Sequence, residues 1–375
     1  MARAWAEVDL GAIRHNVRTL RAIAAPARLC AVVKANGYGH GAAAVGRAAV
    51  EAGADWLAVA QVDELVGLRD AGIDVPLLLL SEPRLDEVDD ALATDARLTV
   101  YSPTVIAAIA KSVRARRSTA VAVHLKVDTG MHRVGIAAAD AVATARSIGE
   151  LAELSLEGVC THMPVADEPD NPFTDDQIAR FDAVVAELRE AGIDPGILHV
   201  ANSAGAIAHP KARYDLVRCG IAVYGIPPAP ALSDASSDLR PALTLASEVS
   251  FVKPVAAGGR ISYGHHHQVE RDTVVATVPI GYADGVFRSL PLSGQEVLIR
   301  GERRPMVGVV TMDQLMVDCG PDSDIRPGEQ VMLLGEQGGE HGGERITPDE
   351  WAARLGTISY EVVCAIGARV ARRYK

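Results

Sequence analysis

Leu29-Cys-Ala-Val-Val-Lys34-Ala-Asn-Gly-Tyr38-Gly-His-Gly41 opens with five consecutive apolar residues, presents one amine, and then turns polar and glycine-rich. An apolar run bounded by turn formers reads as a strand buried on both faces, here Leu29–Ala35. Lys34 stands at its C-terminal lip. Alkyl neighbours there disfavour an ammonium and lower its pKa from about 10.4, which frees a nucleophilic amine. The chain holds 31 Arg and only six Lys, so arginine is its default cation. A lysine at a buried strand end, where a guanidinium could not deprotonate, suggests amine chemistry. A lysine snorkelling out of a strand terminus is the alternative.

Outward from this stretch a rhythm sets in. After a short extended piece, Trp5–Val8, and a helix from Leu10 to Ile23, further strands are expected at Trp56–Ala60, Leu77–Leu80, Leu98–Tyr101, Val121–Asp128, Leu156–Met163, Ile197–Ser203 and Leu216–Gly225. Helical patterns separate them: Ala42–Ala52, Val62–Asp70, Leu85–Ala93, Thr104–Arg116, Ala138–Ile148, Gln177–Ala191 and Ala204–His209. Eight strands alternating with helices predict an α/β fold, a (β/α)8 barrel. An open doubly wound sheet is the alternative, but no Gly-x-Gly-x-x-Gly opens a helix after the first strand.

The rhythm stops at Ile226–Arg240, a Pro/Ser/Asp connector. Beyond it strands follow without intervening helices: Leu243–Pro254, Val274–Pro279, Glu296–Ile299, Pro305–Val310, Leu315–Asp318 and Gln330–Leu334. A helix over Pro348–Leu355, capped by Thr347, precedes a last strand at Ile358–Ile366. The expectation is a barrel over residues 9–240 and a C-terminal mainly-β domain over 241–375, joined by residues 1–8. Gly335–Gly343 reads as a mobile loop with no assigned role.

Composition narrows the function classes. Of 375 residues 49% are hydrophobic and only 4% aromatic, which suits Val, Leu, Ile and Ala in helix-covered parallel strands. A net charge of −11 without a basic cluster argues against nucleic acid, whose phosphates need a positive face. Five unevenly spaced cysteines form no Cys-x-x-Cys, so buried reduced thiols are expected rather than a disulfide framework or zinc site. Glu7 and Asp9 fall where a signal peptide needs its apolar core, and no apolar run has membrane-spanning length. The expectation is a cytoplasmic protein with no membrane partner.

In a barrel, reactive groups sit at the C-terminal strand ends. Those ends carry Lys34, Lys126 with Asp128, His162, Asn202 with Ser203, and Arg218 with Gly220; Arg133 follows in Asp128-Thr-Gly-Met-His-Arg133. The loops after strands seven and eight supply a hydroxyl and glycine-exposed amides suited to a dianion. An amine on strand one with a phosphate cradle opposite suggests pyridoxal 5'-phosphate held as a Schiff base.

The stretch AVVKANGYGHG resembles the cofactor-lysine signature of alanine racemases. The similarity continues in family order through EVDLGAIRHN, LKVDTGMHRVG, THM, ANSAG, VRCGIAVYG, SYG, PIGYADG, MDQ and ISYEV. It implies that Lys34 carries the cofactor and is the base for the D-alanine α-proton. Tyr263 would be the opposite-face base, supplied by the other subunit of a head-to-tail homodimer whose mainly-β domain completes its partner's site. Arg218 matches the residue facing the pyridine nitrogen; a strand-end arginine paired with Asp215 is the alternative. The resemblance gives Arg133 the substrate carboxylate, and makes Lys126 a candidate for carbamylation that orients Arg133. Tyr38, Ser203, Gly220, Ile221 and Tyr360 match phosphate contacts, with Asn202 beside them. His162 matches an imidazole bonded toward Arg218, and Tyr282 and Met312 match partner residues at the substrate entrance. Asp313 reads as a structural carboxylate nearby. The implied activity interconverts L- and D-alanine, supplying D-alanine for peptidoglycan.

Three positions depart from the family's pattern: Thr311 where cysteine is common, Val309 where an arginine often lines the corridor, and His132 where smaller residues stand. The first two leave the corridor's charge and the partner of Asp167 open. His265-His266-His267 invites a metal reading, but adjacent strand residues point to opposite faces, so it is read as exposed, with no metal site expected. A decarboxylase of similar architecture would want a carboxylate in place of Arg218. A regulatory barrel would leave Ala242–Lys375 unexplained.

Overall fold

A computed structural model describes residues 3–339 and 342–375. Met1, Ala2, Glu340 and His341 lie outside the described residues, and with them the tip of the Gly335–Gly343 loop. The chain divides into two compact units. One comprises Gly11–Gly37 and Ala42–Pro241; the other takes the chain up to Leu10, Tyr38–Gly41 and Ala242–Lys375.

In the first unit, apolar runs too short for helices become eight parallel strands. In order around the sheet they are Leu216–Cys219, Arg28–Val32, Trp56–Val59, Leu77–Leu79, Arg97–Val100, Val121–Asp128, Leu154–Cys160 and Ile197–His199. Backbone bonds from Asp215 N–H to Leu198 O (3.0 Å) and Arg218 N–H to Ala201 O (3.0 Å) bring the last strand back to the first. The result is a nearly closed barrel, whose strands include the fully buried Leu29, Ala31, Leu57, Leu78 and Leu98. The intervening helices each bury one stripe: Phe173–Glu190 hides Gln177, Ile178, Phe181, Val184, Val185 and Leu188 at helical spacing. Ser102 caps Pro103–Arg116 by accepting the Val105 N–H (3.4 Å).

Several strands end sooner than their apolar runs suggest. The first stops at Val32 rather than Ala35, the seventh at His199 rather than Ser203, and the eighth at Cys219, followed by a 3-10 turn over Ile221–Tyr224. Pairing ceases where the chain bends at the barrel mouth. The connector after the eighth strand is pinned by fully buried Asn16, whose amide bonds Val223 O (3.0 Å), Arg240 O (2.8 Å) and Arg240 N–H (2.7 Å).

The second unit is built on a ten-stranded, mostly antiparallel sheet. Its order is Phe251–Val255, Thr273–Val278, Leu315–Asp318, Glu302–Val307, Glu296–Ile299, Gln330–Gly339, Leu243–Glu248, Ala4–Val8 and Ala371–Tyr374, with Gly342–Ile346 paired to Gln330–Gly339. Ala4–Val8 runs antiparallel to Leu243–Glu248 and parallel to Ala371–Tyr374. Trp351, Val297, Leu298, Val317 and Leu333 are among its fully buried core. The helix Pro348–Leu355 is capped by Thr347, which accepts the Glu350 N–H (3.1 Å).

Two expectations for this unit are corrected. Ile358–Ile366 is not a strand: Ser359–Cys364 is helical, and its buried positions Ser359, Val362, Val363 and Ile366 recur at three- and four-residue spacing. The last strand lies at Ala371–Tyr374 instead. The described part of the Gly335–Gly343 loop is not a structureless connection but two paired arms, Gly335–Gly339 against Gly342–Ile346.

Candidate active site

Lys34 is half-buried one residue past the end of the first barrel strand's apolar run, and the chain after it coils left-handed. Ala35 (φ 52°, ψ 50°), Asn36 (52°, 47°) and Gly37 (63°, 47°) share that conformation, closed by a Gly37 N–H to Val33 O bond of 2.8 Å. Each L-residue so placed costs about 1–2 kcal/mol, so the turn persists only because neighbours hold it. Glu64, in the helix Val62–Asp70, does so with one carboxylate that accepts the N–H groups of Ala35, Ala60 (3.0 Å) and Gln61 (3.1 Å). Asn36 Oδ1 accepts the Ala42 N–H (3.1 Å), and the Tyr224 hydroxyl donates to Val32 O (3.0 Å). Glu64 and Tyr224 escaped the sequence reading; neither carries a local pattern that marks it.

The fifth strand ends in a compact turn organised by Asp128. Its Oδ1 accepts the N–H groups of Gly130 (2.9 Å), Met131 (3.0 Å) and His132 (3.0 Å), and its Oδ2 meets the His132 ring at 3.1 Å. Burial alone would raise this carboxyl's pKa, but those bonds bring it below the ordinary range. His132 is thereby engaged with Asp128, and Arg133, the next residue, is exposed. Lys126 is partly buried, and its side chain makes no hydrogen bond or ion pair to any described residue. Burial is the largest cause lowering its pKa, with Arg218, Arg133 and Lys34 acting in the same direction.

Arg218 is 6% exposed and has no carboxylate partner among the described residues. Its Nη1 donates to His199 Nδ1 (2.8 Å) and His199 O (2.8 Å); its Nη2 donates to Thr161 O (2.8 Å) and Val200 O (3.0 Å) and lies 3.3 Å from His162 Nδ1. The alternative pairing with Asp215 does not occur, because that carboxylate accepts the Leu198 N–H (2.7 Å). Burial, then Arg218, Lys126, Arg133 and Lys34, hold His162 well below the usual imidazole range, so it stays neutral. These cations therefore act on one another at one mouth of the barrel.

Ser203, also buried, accepts the N–H groups of Gly220 (2.9 Å) and Ala222 (3.4 Å), which leaves its own proton to donate. Ile221 is fully buried beside them. Asn202 caps the helix Ser203–Ala208 by accepting the Gly205 N–H (2.9 Å) and donates to Met163 O (3.1 Å).

The remaining site candidates belong to the second unit. Tyr38 and Tyr360 pack with ring centroids 6.2 Å apart. Burial, then Tyr360 and Cys364, push the Tyr38 phenol up, so it remains a donor at neutral pH. Gly39 and Gly41 (φ +80° and +101°) are needed here: a Cβ at Gly39 would stand 2.4 Å from Val363 O, and one at Gly41 2.0 Å from the Tyr374 hydroxyl. Tyr263, Tyr282 and Met312 are 71%, 43% and 54% exposed. The loops behind them are zipped together by Tyr282 N–H to Thr311 O (3.0 Å), Ala283 N–H to Met312 O (3.1 Å) and Ser262 Oγ to Val309 O (2.8 Å). Thr311 turns its hydroxyl to Gln314 O (2.8 Å), and Val309 is buried. Asp313 pairs with Arg369 (2.6 Å), which also reaches Asp284 (3.2 Å).

The three histidines do not lie on one strand: His265 ends a 3-10 turn, His267 opens a two-residue strand, and His265 and His266 are exposed. Among the described residues no group of three or more His, Cys, Asp or Glu is placed to hold a metal ion, and no helix is long and apolar enough to cross a membrane.

A parallel barrel with an amine after its first strand and a carboxylate-free arginine on its eighth, followed along the chain by a mainly antiparallel sheet, marks a pyridoxal-phosphate-dependent racemase, an isomerase of barrel type. Residues 8–228 match the family model for the alanine racemase N-terminal domain and residues 242–374 that for the C-terminal domain. The alanine racemase of Symbiobacterium thermophilum is 48% identical over 374 residues, covering 100% of this chain and 97% of that protein. The crystal structure of alanine racemase from D-cycloserine-producing Streptomyces lavendulae superposes with a TM-score of 0.92 at 39% identity, covering 100% of this chain and 97% of that one. That of the Bartonella henselae enzyme, described with covalently bound pyridoxal phosphate, gives 0.87 at 27% identity over the whole of both chains. This chain belongs to the alanine racemase family.

Proposed function

We propose that this protein interconverts L- and D-alanine with pyridoxal 5'-phosphate carried as a Schiff base on Lys34, and thereby supplies D-alanine for peptidoglycan in the cytoplasm. The donor set suits that cofactor. Ser203, which already accepts the Gly220 N–H, has a proton left to donate, the Ile221 amide follows Gly220, and Tyr38 remains a protonated phenol beside Tyr360; a phosphate dianion calls for donors of this kind. Asn202 orders the same loop. When bound, the cofactor supplies an electron-withdrawing imine and ring that acidify the substrate's α-carbon.

The chain's own groups do the rest. The Lys34 amine takes or returns the α-proton on one face, and the phenol of Tyr263 of the partner subunit serves the other. The 71% exposure of Tyr263 in a single chain supports that supply from a head-to-tail homodimer, as does the exposure of Tyr282 and Met312, assigned to the substrate entrance. Arg133 holds the substrate carboxylate with its guanidinium fork. A carbamate on Lys126 answers the surplus of positive charge around it and orients Arg133; its lowered pKa favours the neutral amine, which attacks the carbon of carbon dioxide and gives up a proton to solvent. His162 stays neutral and accepts from Arg218.

The observation that carries this reading is Arg218, buried at the mouth shared with Lys34 and bonded, among the described residues, to carbonyls and imidazoles alone. A guanidinium there keeps its proton, so a ring nitrogen facing it stays unprotonated. That limits electron withdrawal to what proton exchange needs and disfavours decarboxylation, which calls for a carboxylate at this place. The test is to add pyridoxal phosphate and follow L-alanine. Loss of optical rotation without gas evolution is expected, and Lys34→Ala should lose both turnover and the visible absorbance of the bound cofactor. A borohydride-reducible chromophore surviving in Lys34→Ala would move the assignment to another lysine.

A further inference from the structure

The partners of Arg218 do not end at the site. His199 Nδ1 receives a guanidinium hydrogen, and a guanidinium can only donate, so that nitrogen carries no proton. The neutral ring's proton is then on Nε2, which lies 2.8 Å from His124 Nδ1. His124 in turn must accept there and donate from Nε2 to Glu157 Oε2 at 3.0 Å. Glu157 also meets Arg97 Nε at 3.3 Å. Both imidazoles are buried in barrel strands, at 0% and 1% exposure. Their orientation is fixed by packing as well: the rings of His124 and His199 meet edge to face with centroids 4.9 Å apart, and Trp56 abuts His124 at 5.6 Å.

A chain of this kind has only one polarity. It starts at a group that cannot accept and finishes at a carboxylate that cannot donate, so every proton between them is assigned. It also resolves an electrostatic deficit, because Arg218 is a buried cation with no carboxylate beside it. We infer that His199 and His124 are positioning residues: two neutral imidazoles of a single tautomer that link Arg218 to the remote negative charge of Glu157 and hold its guanidinium in one orientation toward the cofactor ring. The inference rests on the cofactor reading above and adds to it three residues that touch neither cofactor nor substrate in that reading. Loss of Glu157's charge depolarises the chain without removing an atom from the site, and loss of the His199 ring leaves Nη1 held by the His199 carbonyl alone.

The experiment uses the pyridoxal-phosphate-loaded enzyme. Nitrogen-15 spectra of the wild type are expected to show His199 with a bare Nδ1 and a protonated Nε2, and His124 in the same tautomer. A protonated Nδ1 on His199 would overturn the inference outright. Glu157→Gln, close in shape and partly exposed, is expected to keep stoichiometric cofactor but shift its visible absorbance band. Its kcat should fall about ten-fold with KM for L-alanine unchanged, as when a partner that orients a site group is removed. His199→Gln, whose amide O–C–N spacing reproduces the imidazole N–C–N, should retain several-fold more kcat than His199→Leu. Wild-type spectra and kcat in Glu157→Gln, or equal loss in both His199 variants, would sink the relay while leaving the cofactor assignment intact. Absence of any visible chromophore in the wild type would sink that assignment while the tautomers stay as measured.

Discussion

Burial is the largest cause holding His124, His162 and His199 below the ordinary imidazole range, and Arg218 is the next for the last two. Each is a neutral ring in the folded chain and an ordinary imidazole, with a pKa of about 6.5, once unfolded. Below that pH the unfolded state binds more protons than the folded one, so stability is complete above about 6.5 and falls as the medium acidifies. Comparing urea midpoints at pH 7.5 and 5.5 should show that loss. His199→Gln should remove up to about 1.4 kcal/mol per pH unit from the slope. An unchanged slope would mean that His199 titrates alike in both states. At this scale the candidate site was legible where it follows the barrel's rule that chemistry sits at strand ends, the rule that nominates Lys34, Lys126, His162, Ser203 and Arg218. His199, His124 and Glu157 were not legible. A titratable residue inside an apolar strand looks the same whether or not it has a partner, and these find theirs across 75 and 33 residues of sequence.

Among the elements, alternation of apolar runs and helical patterns was readable because each has a period of its own. Readability failed where composition and spacing disagreed. The β-branched content of Ile358–Ile366 suggested a strand, yet Ser359, Val362, Val363 and Ile366 are spaced as one face of a helix. The left-handed turn behind Lys34 could not be foreseen from Ala35, which has no preference for it; the cause is the remote carboxylate of Glu64. Its conformational cost is measurable. Ala35→Gly should stabilise the folded chain by about 0.5–1 kcal/mol, because glycine adopts φ 52° without a Cβ penalty. Gly39→Ala should do the reverse, by more than about 2 kcal/mol, since its Cβ would collide with Val363 O. Urea midpoints of the two variants check both signs. A fall in the first would mean that the left-handed turn is not retained.

For the molecule as a whole, the proposal that Lys34 and Tyr263 meet only across two subunits has a quantitative outcome. Lys34→Ala and Tyr263→Phe should each be inactive or nearly so in pure form. Unfolded together and refolded, half the dimers should be mixed, each with one intact site and one doubly defective, so activity should recover to about a quarter of wild type. No recovery, with mixed dimers demonstrated by mass, would place both groups on one chain. The sheet of the second unit carries a different consequence. Ala4–Val8 is an inner strand whose two neighbours, Leu243–Glu248 and Ala371–Tyr374, are more than two hundred residues away. During synthesis this strand leaves the ribosome before Leu243–Glu248 and longer still before Ala371–Tyr374. The barrel can therefore assemble while the nascent chain is still growing, whereas Ala4–Val8, made before it, must wait, unpaired on that edge, until Ala371–Tyr374 emerges.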